Sequence, residues 1–95
     1  MQVWSLLGKA VAGPFSAVLA CELEPGASVG VHVQQRDPEI VVVLEGNGVA
    51  EVSGIAQQLA PGAVVYLAFG QQLALRNGSA TEPLRYLIVK ARAGV

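Results

Sequence analysis

The chain holds one histidine, His32, and two other groups that could bind a metal or move a proton lie close to it. Gln34 follows two residues later, and Glu39 heads the aliphatic run EIVVVL that ends at Leu44. Residues two apart on a strand share a face, so His32 and Gln34 point the same way. An imidazole, an amide oxygen and a carboxylate brought together suit three kinds of chemistry. They could ligate a divalent metal, grip a polar small molecule, or provide His32 and Glu39 as an acid–base couple for isomerisation or proton abstraction. A bare carboxylate among valines is costly, so Glu39 is expected to be paired, metal-bound or raised in pKa. The plainer alternatives are an inward His32 hydrogen-bonded to Glu39 or Gln34, and a Glu39 that reaches the rim to meet water or Arg36.

Other side chains could extend such a site. Tyr66, Phe69 and Tyr86 could line a pocket, although aromatics in a small β-domain also serve as core or interface. Arg76, Arg85 and Lys90 could meet an anionic ligand at its mouth, or simply be solvated. Cys21 shares a strand face with Phe15, Ala17, Leu19 and Leu23. That apolar set points inward and implies a buried thiol rather than a reactive one.

The elements that must position these residues are short strands. Proline and glycine cut the chain at Gly13-Pro14, Pro25-Gly26, Gly46-Asn47-Gly48, Gly54, Pro61-Gly62, Gly70, Asn77-Gly78 and Pro83, with Val-, Leu- and Ile-rich runs between them. No window sustains a 3.6-residue period. The pattern predicts an all-β sandwich or barrel with strands near Phe15–Leu23, Ser28–Gln34, Glu39–Leu44, Val49–Val52, Ala56–Leu59, Val64–Leu67, Gln72–Arg76 and Leu84–Ala91, and a short one near Val3–Leu7. Gly46-Asn47-Gly48 is the strongest hairpin signal, and Asn77-Gly78 reads as a positive-φ turn rather than a glycosylation site. The segments PGASVGVHV and PGAVVYLAF form a weak repeat, each opening a strand.

Two spaced motifs resemble those of the cupin superfamily. The first runs Gly26, five residues, His32-Val33-Gln34, four residues, Glu39, six residues, Gly46. The second runs Gly62, five residues, Ala68-Phe69-Gly70, two residues, Leu73, three residues, Asn77. The resemblance implies a double-stranded β-helix (jelly-roll) barrel of two antiparallel sheets, formed by residues 1–95 as one domain. It also implies three histidines and a glutamate converging on a metal. Here Gln34 replaces the second histidine and Leu73 the third. A neutral amide is a weak ligand for a transition metal and leucine is none. The expectation is therefore no tightly held cofactor. A Zn, Mn, Fe or Ni ion, if one bound, would rest on His32, Gln34 and Glu39. An unknown small molecule would meet His32, Gln34, Glu39 and Tyr66, with Leu73 as an apolar wall. The alternative is a cupin-type enzyme, such as an isomerase, dioxygenase or decarboxylase, since this fold hosts many activities.

Composition narrows the partners. Of 95 residues 53% are hydrophobic and 14% charged, and the net charge is -1, which excludes the basic patches of nucleic-acid binding. No segment approaches a membrane-spanning helix, and residues 1–15 lack the basic region of a signal peptide, so a cytoplasmic location is expected. One cysteine cannot form an intrachain disulfide. So apolar a chain is expected to form a homodimer by sheet–sheet packing, with the segment around Trp4 involved.

Overall fold

The computed structural model describes residues 1–6, 14–33, 38–68 and 70–92; of residues 31–33 it describes the backbone alone. Gln34, Arg36 and Phe69 lie outside the described residues.

Nine strands occur among them: β1 Gln2–Ser5, β2 Phe15–Leu23, β3 Ser28–Val33, β4 Glu39–Glu45, β5 Gly48–Val52, β6 Ile55–Leu59, β7 Val64–Leu67, β8 Gln72–Asn77 and β9 Leu84–Ala91. They build a five-stranded sheet of order β1-β2-β9-β4-β7 and a four-stranded sheet of order β3-β8-β5-β6. All pairings are antiparallel. The described residues include no helix, and so none long and apolar enough to cross a membrane. This is the two-sheet jelly roll expected from the sequence.

The core forms where the inner faces meet. On β4, Glu39, Val41 and Val43 are buried while Ile40 and Val42 between them are half-buried, the period-two signature of a pleated strand. Leu73 and Leu75 on β8, Leu84 and Tyr86 on β9, and Cys21 and Leu23 on β2 join the same cluster. Each fully buried leucine or valine contributes roughly 1.5–3 kcal/mol.

The Pro-Gly repeat has a structural basis. Ala27 N–H donates to the Glu24 carbonyl at 3.0 Å, and Ala63 N–H donates to that of Ala60 at 2.9 Å. Gly26 and Gly62 take φ of 72° and 91°, as the third position of a type II turn requires. Each turn leads into a strand at a sheet edge, β3 or β7.

Three expectations are corrected. Gly46-Asn47-Gly48 forms no hairpin: β4 and β5 belong to different sheets, so the segment is a crossover. Its glycines are there for closeness, since a Cβ on Gly46 would stand 2.4 Å from the Pro83 oxygen and one on Gly48 2.3 Å from that of Arg76. The tight hairpin is instead β5–β6, where Ser53 and Gly54 have φ of 48° and 83°, the signs of a type I′ turn. Asn77 is not a positive-φ turn residue but the buried end of β8. Its Nδ2 lies 3.1, 3.1 and 2.8 Å from the carbonyls of Leu23, Glu24 and Glu82, and its Oδ1 accepts from Ser79 N–H. Phe15 does not share the inward face of Cys21. A register shift between Phe15 and Ala17 turns it outward, where it is 51% exposed.

Candidate functional site

Glu39 is the first residue of β4 and is only 4% exposed. It stands opposite Leu67 on β7 and Lys90 on β9, and Lys90 in turn stands opposite Ala17 on β2. Residues paired directly across a ladder share a face. The half-buried Lys90 therefore occupies the inner face beside the carboxylate, not the solvated rim. The Glu39 Oε2 is enclosed and accepts no hydrogen bond, while the residue is engaged through other interactions.

Farther along the same face, Cys21 and Tyr86 form a register pair, both buried. Burial pushes the Cys21 thiol above its ordinary pKa. The Glu39 charge adds to that rise and the Lys90 charge opposes it. The Tyr86 phenol is pushed up more strongly, again by burial first, then by Cys21 and Glu39. Its hydroxyl donates to Met1 Sδ at 3.1 Å. The thiol is buried, as its strand face implies. Glu39 and Lys90 thus supply the charges that act within this wall.

On the other sheet, the backbone of His32 pairs with Leu73, which also pairs with Val52 of β5. Leu73 is 1% exposed and belongs to the core. Gln34 lies outside the described residues.

Tyr66 is corrected: it does not face the interior. It lies beside the inward Leu67, pairs with Ile40, and is 62% exposed on the outer face. There it borders a groove of about 160 Å³ formed with Phe15, Pro38, Glu39, Ile40, Val89 and Ala91. Arg76 and Arg85 are also outside; Arg85 is held by Glu22 and Glu45 at 2.9 and 3.1 Å, which raises its pKa further. Sequence reasoning missed Lys90 as an interior group. The signal was available, because Leu84, Tyr86, Ile88 and Lys90 alternate along one strand.

Residues 19–90 match the family model of the cupin domain, a stretch that contains both motifs. The chain belongs to the cupin family. No curated protein matches the sequence. Among solved structures, a cupin 2 conserved barrel domain protein from Salinispora arenicola is similar with a TM-score of 0.81 and 26% identity, over 97% of this chain and 76% of that one. A protein from Thermotoga maritima described as a predicted oxalate decarboxylase gives 0.77 and 26%, over 83% and 68% of the two chains. The Cnp3 cupin domain of Schizosaccharomyces pombe gives 0.84 at 19%, over 95% and 63%, a likeness of fold.

The cupin metal pattern can be tested on this chain's own donors. Position 73 presents a buried aliphatic side chain with no ligand atom. Among the described residues, no three His, Cys, Asp or Glu side chains stand together as metal ligands. Leu73 thus leaves one position of the cupin metal pattern without a donor.

Proposed function

We propose that this cupin barrel binds a small polar organic molecule at the end of the interior marked by Glu39, without a resident transition metal. The observation that carries this reading is the carboxylate of Glu39, buried in an aliphatic wall and paired in register with Lys90. An opposed acid and base on one inner face select a ligand that offers a hydrogen-bond donor to the one and an acidic group to the other. On the second sheet, the backbone of His32 pairs with Leu73. Leu73 excludes water on that side.

The test is a ligand-detected NMR screen of small hydroxy acids, amino acids and sugar acids against purified protein. A hit should lose at least tenfold in affinity in Glu39→Gln and in Lys90→Met, both of which approximate the original volume. Elemental analysis after dialysis against a mild chelator should find no stoichiometric Zn, Mn, Fe or Ni. Ligand binding indifferent to both substitutions, or retained metal, refutes the reading.

A second reading draws on the likeness to the Thermotoga maritima protein described as a predicted oxalate decarboxylase. It would need a metal held by His32, Gln34 and Glu39 alone. Carbon dioxide release from oxalate with added Mn would favour it.

A further inference from the structure

We propose that the outer face of the four-stranded sheet carries a site for a small free α-amino acid, held between the Arg76 guanidinium and the Glu51 carboxylate. The site is separate from the interior end marked by Glu39 and does not rest on the reading given for that end.

The sequence makes a depression on this face by leaving side chains out. β3 shifts register between Val29 and His32, so two residues, Gly30 and Val31, stand against the single Ala74 of β8. Glycine inside a strand marks a bulge or a place where another group approaches closely. Leu75 on β8 and Ala50 on β5 are buried, so their neighbours Ala74, Arg76, Val49 and Glu51 take the outward positions. Register pairs join Ser28, Arg76 and Val49 in one row, and Ala74 with Glu51 in the next. The second row therefore offers a methyl group at Ala74 and no side chain at Gly30. A Cβ built on Gly30 would meet nothing within 4 Å. What remains is a groove of about 240 Å³ whose lining includes Ser28, Gly30, Val49, Glu51, Ala74 and Arg76.

Opposite charges on a flat, exposed sheet are ordinarily just solvated. Here they flank a hollow, and neither is spent on a neighbour. Among the described residues Arg85 is held by Glu22 and Glu45 and the Met1 amine by Glu24, whereas Arg76 and Glu51 enter no ion pair. Arg76 stands opposite Val49 and Glu51 opposite Ala74, so the two charges lie on a diagonal of the β5–β8 ladder. Diagonal positions are about 7–8 Å apart, which leaves room for a small molecule between two long side chains.

The chemistry of the walls selects the ligand. A guanidinium presents parallel N–H donors that match a carboxylate, and the Ser28 hydroxyl opposite Arg76 adds another donor on that side. The Glu51 carboxylate accepts from an ammonium group. A zwitterion satisfies both walls, while a plain anion or plain cation meets one like charge, and that repulsion is what makes the site selective. The groove is smaller than the roughly 300 Å³ at which pockets for drug-sized ligands begin. Its floor of Ala74 and Val49 suits a short aliphatic side chain.

The probe is L-alanine, titrated into the nitrogen-labelled full chain and followed by proton–nitrogen correlation NMR. The amide signals of Ser28, Gly30, Glu51, Ala74 and Arg76 should move saturably. Propionate and ethylamine, which each carry one of the two charges, should bind at least tenfold more weakly. Arg76→Gln and Glu51→Gln should each weaken L-alanine binding at least tenfold, with the dispersion of the spectrum retained because both side chains are exposed. Gly30→Val should abolish binding with both charges still present, since it fills the groove at a position that needs no positive φ. Absence of a saturable shift at tens of millimolar L-alanine overturns the proposal, as does binding indifferent to Arg76→Gln and Glu51→Gln. Propionate binding as tightly as L-alanine would make this a simple anion site and overturn it too. So would shifts gathered about Glu39 and Lys90, which would place the amino acid inside the barrel.

Discussion

Leu73→His puts an imidazole back where the cupin motif carries one, and the structure sets what this should cost and return. Leu73 is 1% exposed, opposite His32 on one side and Val52 on the other. Its removal gives up roughly 1.5–3 kcal/mol of burial, and the imidazole must find a hydrogen bond or add a further 1–3 kcal/mol. Without metal the variant should therefore melt lower by some 2–5 kcal/mol, about 10–30 °C for a domain of this size. With Zn²⁺, the restored donor joins His32 and Glu39. Zinc at about 100 times the dissociation constant should then return about 2.7 kcal/mol, a rise of roughly 10–20 °C. Wild-type protein, lacking that donor, should show almost no zinc response. Differential scanning calorimetry with and without zinc reads all four states. If Leu73→His folds but zinc raises its melting point no more than it does for wild type, position 73 does not face the same space as Glu39. The site geometry would then be wrong.

The remaining expectations are more local. Asn77→Ala strips the carbonyls of Leu23, Glu24 and Glu82 of a shared buried donor and should cost about 2–4 kcal/mol in urea unfolding, whereas loss below 1 kcal/mol would deny Asn77 its clamping role. Cys21 and Tyr86 hold their protons more tightly folded than unfolded, so stability should be full below the ordinary pKa values of 9.0 and 10.0 and fall as pH rises through and beyond them. Urea titrations at pH 7 to 11 should show that fall, and Tyr86→Phe should flatten its upper part. Alkylation of Cys21 in the native state should be far slower than in urea.

The strand map was largely legible because the chain alternates cleanly between punctuation and aliphatic runs. The bounds of β2, β7 and β9 follow directly from it. What escaped was non-local. Gly46-Asn47-Gly48 has hairpin chemistry, but whether two strands pair after a tight turn depends on what else competes for their edges. Here β9 and β7 take both edges of β4. Face assignment failed wherever the pleat is interrupted. One register shift beside Ser16 reverses Phe15, although residues from Ala17 onward keep the phase that counting gives them. Tyr66 was assigned to the ligand by residue type, whereas parity with the inward Leu67 already places it outside.

The site itself was half legible for a different reason. Motif spacing locates Glu39 and Leu73, but spacing does not reveal what compensates a buried carboxylate once imidazoles are lost. In a complete cupin site, as the motifs imply it, the ion brings that positive charge. In this chain Lys90 stands directly across the ladder from Glu39, on the strand that also carries Tyr86 and Leu84 into the core. A tethered ammonium needs no imidazoles to hold it. Leucine at position 73 adds roughly 1.5–3 kcal/mol of burial there, whereas an imidazole would need a hydrogen bond or an added ion to offset its polarity. Lys90→Met should remove the acidic-ligand preference while leaving the fold intact, and an acidic ligand that binds the variant as tightly as wild type would deny Lys90 that role.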